Sequence, residues 1–175
     1  MIKSLVTINN PRIRLQSMPV DQIDQSVKQV VQDMIDTALD WEQSRKGETA
    51  VALAAIQINV PLRILIMRKD PEQPSSKEFL VIINPIISEQ SESTLYQHEG
   101  CLSVPDRYAK LDRPKSLVVT GLSLDGKKIK KRLRGFTARV IRHEVDHMDG
   151  KLFVDYLDDT DKKYRIVDGE LQDDK

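Results

Sequence analysis

Two stretches of the chain repeat apolar residues at the three- and four-residue spacing of a helix that buries one side. The first follows Asp21, a residue suited to cap a helix, and we expect it to end at Gly47. Its apolar positions are Ile23, Val27, Val30, Val31, Met34, Ile35, Ala38 and Trp41. The second stretch ends before Gly150, a residue type common just past a helix C-terminus. Its apolar positions are Phe136, Val140, Ile141, Val145 and Met148.

Short apolar runs between these helices predict strands. Residues 63–67 and residues 79–84 each form such a run. Pro85 is expected to stop the second strand, because proline has no N–H to give to a sheet. Residues 70–77 are rich in proline, serine and charge, and they predict an exposed loop between the two strands.

A hairpin is predicted immediately before the second helix. Residues 117–124 form a third apolar strand, and Asp125-Gly126 is a strong turn signal before residues 127–134. The order of helix, strands, hairpin and helix favours an α+β fold over a parallel βαβ array. We therefore expect mixed or antiparallel sheets packed around the second helix as a central element.

Composition is that of an ordinary globular domain. The chain has 175 residues, of which 31% are charged and 39% hydrophobic, and its formal net charge is zero. The whole molecule therefore has no charge bias toward DNA or acidic membranes, and we expect neither as a partner. We divide the chain into one domain at 1–157 and a polar, acidic C-terminal tail at 158–175 that is expected to fray.

The start of the chain and its cysteine content favour a reducing compartment. The first residues lack the apolar run of a signal peptide, and a lone cysteine, Cys101, cannot form an intrachain disulfide. We expect a cytoplasmic protein, or an organelle protein from which a presequence has been removed. We also expect a monomer.

The second helix carries the candidate chemistry, in the segment His143-Glu144-Val145-Asp146-His147. Residues four apart share a helix face, so His143 and His147 can bind one metal ion with both imidazoles. A divalent ion lowers the pKa of bound water to about 7, so hydroxide is available at neutral pH. Glu144 lies beside this pair, where it can accept a proton and later give it to a leaving amine. The pattern predicts a metal-dependent hydrolase, since two of the three histidines in the chain fall here.

The spacing alone leaves the third protein ligand open. Cys101 is the first candidate, because a thiolate binds Zn²⁺ or Fe²⁺ well. An isolated cysteine is, however, more often a small buried hydrophobic residue. Glu170 would complete the site in the manner of a metalloprotease, and His98 is the third candidate.

Three segments together resemble the motifs of the peptide deformylases. The family's His-Glu-x-Asp-His motif matches residues 143–147, with Gly150 following. Its Glu-Gly-Cys-Leu-Ser motif is intact at 99–103, and its Gly-x-Gly-Leu-Ala-Ala-x-Gln motif corresponds to residues 50–57. The order and spacing agree from about Pro11 to about Leu157, which is most of the chain.

The resemblance implies an enzyme that removes the formyl group from the N-terminal formyl-methionine of nascent polypeptides. It implies Fe²⁺ as the metal in the cell, with Zn²⁺, Ni²⁺ or Co²⁺ as substitutes. It favours Cys101 as the third ligand beside His143 and His147. It also assigns Gln57 and the backbone N–H of Leu102 to polarising the formyl oxygen, with Glu144 as the general acid and base.

The chain departs from the family pattern at two positions. Both glycines of the first motif are alanine here, Ala50 and Ala52. If either had to adopt a positive φ, strain of about 1–3 kcal/mol would follow, whereas in extended backbone each methyl would only narrow the cleft. A catalytically weak homologue that binds formylated chains or ribosomes is therefore one alternative. An endopeptidase that uses Glu170 is the other.

A run of basic residues at 127–134 raises the question of a ribosome contact. A solvated hairpin strand with Ile129 and Leu133 facing inward explains this run more simply. Contact with the ribosome is therefore a weaker expectation than binding of N-formylmethionyl peptides.

Overall fold

The computed structural model describes residues 1–45, 47–71, 73, 76–158, 161–167 and 170–173, without the side chain of Val167. Residues 72, 74 and 75 of the predicted loop and six residues of the predicted tail lie outside this set. None of the described helices combines the length with the apolar character that a membrane-spanning helix requires.

The described residues form two antiparallel sheets and two α-helices, so the predicted α+β class is confirmed. The helices are α1 (Gln25–Ser44) and α2 (Gly135–Met148). The strands are β1 (Ala52–Ala54), β2 (Ile64–Arg68), β3 (Phe79–Gln90), β4 (Thr94–Cys101), β5 (Val104–Pro114), β6 (Ser116–Leu122), β7 (Lys128–Arg134), β8 (Lys163–Val167) and β9 (Glu170–Asp173). One sheet has the order β1-β2-β3-β6-β7, and the other has the order β4-β5-β8-β9.

Helix α1 begins three residues later than the apolar pattern suggested. Asp24, and not Asp21, is its N-cap, and the Asp24 carboxylate accepts a hydrogen bond of 3.0 Å from the Val27 N–H. The predicted cap at Asp21 is therefore wrong, because a capping side chain must be followed at once by helical residues. The helix ends at Ser44, and Gly47 has a φ of +83° in the following turn.

Helix α2 ends as predicted. Gly150 has a φ of +74°, and its N–H donates to the carbonyl oxygen of His147. A Cβ at Gly150 would lie 2.4 Å from the carbonyl oxygen of Arg14, so both the backbone angle and the packing require glycine.

Pro85 does not stop β3, which continues to Gln90, so that prediction is wrong. The register against β6 shifts between Ile83 and Ile86, and the missing N–H of Pro85 falls in this irregularity. Asn84, with a φ of +52°, fixes the irregularity by exchanging side-chain hydrogen bonds with the backbone of Val20.

The hairpin β4–β5 is the largest element that the sequence pattern did not predict. Its strands are rich in polar and charged residues, but Ala109, Leu111 and Arg113 alternate as buried positions on β5. Strand β8 then pairs with β5 through Tyr108 and Tyr164, which places part of the predicted tail in a sheet. The division of the chain at 157/158 stays a prediction.

Helix α2 contacts strands of both sheets. One core cluster joins α2 to alternate residues of β1 and β2, including Ala52, Ala54 and Leu65. The intervening residues, such as Leu53 and Ile66, pack on the other side in a second cluster with α1. Because side chains of a strand alternate between its faces, Ala52 lies on the side of the sheet that faces α2.

Candidate metal centre

The two histidines of α2 lie one turn apart and face into the protein. His143 and His147 are 8% and 1% exposed, and their ring centroids are 4.8 Å apart in an edge-to-face arrangement. Helical spacing therefore brings both imidazoles to one buried place, as the sequence predicted.

Cys101, at the end of β4, meets these histidines from the second sheet. Its Sγ lies 3.1 Å from Nε2 of His147, and one ligand atom from each of Cys101, His143 and His147 lies within 4.8 Å of the others. Within the described part of the chain, this group includes neither Glu170 nor His98. Glu170 is exposed on β9, and His98 packs edge-to-face on Tyr164.

Glu99 fixes the orientation of the His143 ring. The Nδ1–H of His143 donates to Glu99 Oε1 over 2.6 Å, which leaves Nε2 of His143 for the metal. Arg113 donates two hydrogen bonds to the Glu99 carboxylate, and Arg139 donates a third over 2.9 Å. Burial would raise the pKa of Glu99, but the bonds and charges of His143 and Arg113 outweigh it and lower that pKa. Glu99 is thus held as a carboxylate that accepts from the ring.

Arg113 also joins this network to α2. Its guanidinium donates to Asp146 Oδ2 over 2.6 Å, and Arg142 donates to the other oxygen of the same carboxylate. Sequence reasoning named neither arginine, and it quoted Glu99 and Asp146 only as parts of motifs. Arg113 lies 14 residues from Glu99 and 33 from Asp146, so only the fold reveals these pairings. Arg142 and Asp146, in contrast, lie four apart on α2, a spacing from which their pairing could have been predicted.

Glu144 lies beside the two histidines and is 4% exposed. Its Oε2 atom is buried without a hydrogen-bond partner among the described residues. Burial raises the pKa of Glu144 to about 7, against the opposing charge of His143. Burial also lowers the pKa of His147, which favours the neutral imidazole that a metal ligand must be.

Gln57 is held rigidly next to Cys101. Its Oε1 accepts from the Ala54 N–H over 2.8 Å, and its Nε2 donates to Ser103 Oγ over 3.1 Å. The same Nε2 lies 3.7 Å from Cys101 Sγ. Leu102 follows Cys101 in the turn between β4 and β5 and lines the same cavity as Gln57. The structure thus places both Gln57 and Leu102 next to Cys101, on one side of the cluster that Cys101 forms with His143 and His147.

A cavity of about 410 Å³ opens onto these residues. Ala52 lines it, whereas Ala50 is fully buried and its N–H donates to Glu42. Neither alanine is among the described residues with a positive φ, so replacing glycine at these positions introduces no left-handed strain. The sequence left open whether these alanines strain the backbone or only narrow the cleft. The structure supports the second possibility at Ala52, whose methyl group takes up space in the cavity.

The cluster of Cys101, His143 and His147 offers the donor atoms of a metal site. One thiolate and two imidazoles suit Fe²⁺, Co²⁺, Ni²⁺ or Zn²⁺, and three protein ligands leave a position open for water or substrate. The buried, unpartnered Oε2 of Glu144 is available to a polar group bound beside that position. The residues present therefore fit a catalytic metal ion better than a closed structural one.

Comparison with known proteins gives one consistent answer. The family model for polypeptide deformylase matches residues 2–163. A peptide deformylase of Novosphingobium aromaticivorans is 35% identical and covers 89% of this chain and 89% of its own length. A crystal structure of a peptide deformylase from Legionella pneumophila has a TM-score of 0.81 at 34% identity, covering 91% of this chain and 88% of the other. A crystal structure of peptide deformylase from Ehrlichia chaffeensis in complex with actinonin has a TM-score of 0.80 at 33% identity, covering 90% of this chain and 90% of the other.

Proposed function

This chain belongs to the polypeptide deformylase family and is an enzyme of that activity, and from this premise we propose how its own residues carry out the reaction. The substrate is the N-terminal formyl-methionine of a nascent polypeptide, and the products are formate and a free amino terminus. The observation that supports this most is the convergence of Cys101, His143 and His147, of which Cys101 and His143 line one open cavity together with Glu144.

Cys101, His143 and His147 are proposed to hold Fe²⁺ in the cell, with Zn²⁺, Ni²⁺ or Co²⁺ as substitutes. Such an ion supplies hydroxide at neutral pH and polarises a carbonyl oxygen. Glu99 keeps His143 in the required tautomer through the Nδ1–H bond, and this carboxylate is itself fixed by Arg113 and Arg139.

Glu144 is proposed as the general base and then the general acid. Its carboxylate lies beside both histidines on the face of α2 that lines the cavity. It accepts the proton of the attacking water and delivers it to the nitrogen of the departing amine, so it returns to its starting state after each turnover. Its Oε2 has no competing partner among the described residues, so the carboxylate remains available for this transfer.

Gln57 and the backbone N–H of Leu102 are proposed to donate to the formyl oxygen as negative charge develops on it. Fixed donors aimed at such an oxyanion are worth about 2.7–4 kcal/mol each. The hydrogen bond from Ala54 to Oε1 holds the Gln57 amide in place, so its Nε2 requires little reorganisation during the reaction.

The decisive experiment measures formate release from a formyl-methionine peptide by protein prepared without oxygen and loaded with Fe²⁺. Anaerobic handling is needed because a thiolate next to ferrous iron is prone to oxidation. We expect turnover by the parent protein, and metal binding without turnover for Glu144→Ala. Glu170→Ala is the matched control, because this glutamate is exposed on β9 and should keep full activity.

Two results would contradict the proposal. Glu144→Ala with the parent rate would remove the acid and base from the mechanism. Cleavage within an unformylated peptide, with loss of metal on Glu170→Ala, would instead support an endopeptidase.

The cytoplasmic location, the monomeric state and contact with the ribosome stay predictions.

A further inference from the structure

The four-stranded sheet presents two faces to its surroundings, and only one of them faces α2. Directly paired residues of an antiparallel ladder point to the same face. Gly100 pairs with Tyr108, Tyr108 pairs with Tyr164, and Ile166 pairs with Leu171. These five residues therefore share one face, and Glu99, in the alternate position on β4, lies on the face toward α2.

Close contacts organise the face away from α2. A Cβ on Gly100 would lie 2.2 Å from the Tyr108 ring, so this ring covers the backbone of β4. The Tyr108 hydroxyl donates to Glu48 Oε2 over 2.6 Å, and this bond holds the ring in place. The Tyr164 ring packs edge-to-face on His98, with centroids 4.7 Å apart.

Ile166 and Leu171 extend this aromatic surface as far as the catalytic cavity. Both belong to the hairpin of β8 and β9, and both line the same 410 Å³ space as Glu144. Ile166 is partly buried and Leu171 is 40% exposed, so each has apolar surface available to a ligand. The C-terminal hairpin is thus part of the cleft and does not only extend the sheet.

The cleft also lies between two open sheet edges. Strand β1 ends one sheet and β4 ends the other, and Ala52 and Gly100 from these strands both line the cavity. An extended peptide beside such an edge directs successive side chains to opposite faces of the sheet. When the first side chain points toward Val140 and His143 of α2, the second points toward the face with Tyr108 and the hairpin.

We propose that Ile166 and Leu171 form an apolar wall that selects a large apolar side chain at the second residue of the formylated peptide. This inference rests on the proposed function, because it concerns the same substrate in the same cleft. Among the described residues, the hairpin pairs with β5 at Tyr108 and Ala109, and its Tyr164 ring also packs on His98 of β4. The wall is therefore contributed by a small element at the rim of the cleft.

The test compares kcat/KM for formyl-Met-Leu-Ser and formyl-Met-Ala-Ser. We expect the parent protein to prefer the leucine peptide by about tenfold, the low end of the selectivity of an apolar pocket, because the wall is partly exposed. The double variant Ile166→Ala/Leu171→Ala should reduce this preference about fivefold, with the loss falling mainly on the leucine peptide. Gln172→Ala is the matched control, since Gln172 is the neighbour on the opposite face of the hairpin and should preserve the preference.

Other outcomes of this comparison would overturn either the proposed wall or the proposed function. A parent protein with no preference, or a folded double variant that keeps the preference, would overturn the inference. If the double variant does not fold, Leu171→Ala alone repeats the test at a partly exposed position. Sedimentation that shows a parent dimer and a variant monomer, with the preference unchanged, would assign the wall to a second copy of the chain instead. Failure of the parent protein to release formate from either peptide would instead refute the proposed function.

Discussion

At the scale of single residues, the site depends on side chains that are fixed before any substrate arrives. Gln57 illustrates this, because both the oxygen and the nitrogen of its side-chain amide form hydrogen bonds within the protein. Oε1 accepts from Ala54, and Nε2 donates to Ser103 beside the Cys101 sulfur. A side chain with one end anchored loses little freedom when its other end donates to a reacting oxygen.

Replacing Gln57 with Ala should therefore lower kcat by about 10²–10³-fold, the cost of removing one oxyanion donor, with a much smaller change in KM. Metal content should remain that of the parent protein, because Gln57 supplies no ligand atom to the Cys101, His143 and His147 group. Steady-state kinetics at matched metal occupancy measure this split. An equal loss in affinity and rate, or loss of metal, would show that Gln57 only braces the chain.

Residue patterns predicted the histidine pair and Glu144 because all three lie within a single turn of one helix. The resemblance to a family added Cys101, Gln57 and Leu102, which lie far away in sequence. The pairing of Glu99 with Arg113 and Arg139 was not predicted, because it depends on the contact between β4, β5 and α2. Local spacing therefore predicts candidate ligands that share one element, whereas the residues that orient them can be identified only from the fold.

At the scale of secondary structure, the start of α1 is a clear case of local chemistry. Asp24 accepts hydrogen bonds from the Ser26 hydroxyl and the Val27 N–H, whereas Asp21 precedes the helix by four positions and is exposed. These hydrogen bonds lower the pKa of Asp24, and the bond from the Ser26 hydroxyl has the larger effect. The contribution to stability is therefore present above the ordinary pKa of an aspartate and is lost as pH falls through the lowered value.

Asp24→Ala should lower the melting temperature by about 2–4 °C near neutral pH, the shift expected when a domain of this size loses one helix cap. Asp21→Ala is the control and should leave the melting temperature unchanged. The difference between the two variants should shrink in acid, where protonation weakens the cap in the parent protein. Thermal unfolding followed by circular dichroism at two pH values tests both statements.

The strands show where sequence patterns stop being informative. Strand β2 was predicted correctly because it is buried on both faces and forms a continuous apolar run. Strands β4 and β5 were not predicted, because each has one face open and places charged residues such as Glu99 and Arg113 on the buried face. Their charges are satisfied by partners from other elements, and a single-sequence pattern cannot distinguish such positions from exposed ones.

At the scale of the whole molecule, the cluster of Cys101, His143 and His147 connects the two sheets through α2. Cys101 comes from the second sheet, while His143 and His147 come from the helix that also packs on the first sheet. An ion bound by all three residues would therefore link elements that are otherwise joined by packing and by the Arg113 network. Any ligand that binds the folded chain and not the unfolded one adds stability in proportion to the logarithm of its concentration.

Metal loading should consequently raise the melting temperature of the whole domain. At a free Zn²⁺ or Co²⁺ concentration about 100 times Kd, the gain is about 2.7 kcal/mol, or about 5–10 °C for a chain of this length. Cys101→Ser should abolish most of this shift and Glu170→Ala should preserve it, since among the described residues Cys101, and not Glu170, is grouped with the two histidines. A shift that survives in Cys101→Ser and disappears in Glu170→Ala would assign the third ligand to the carboxylate and exclude the thiolate site. Because the measurement needs no substrate, it tests the ligand set independently of whether the cleft beside Ala52 accepts a formylated peptide.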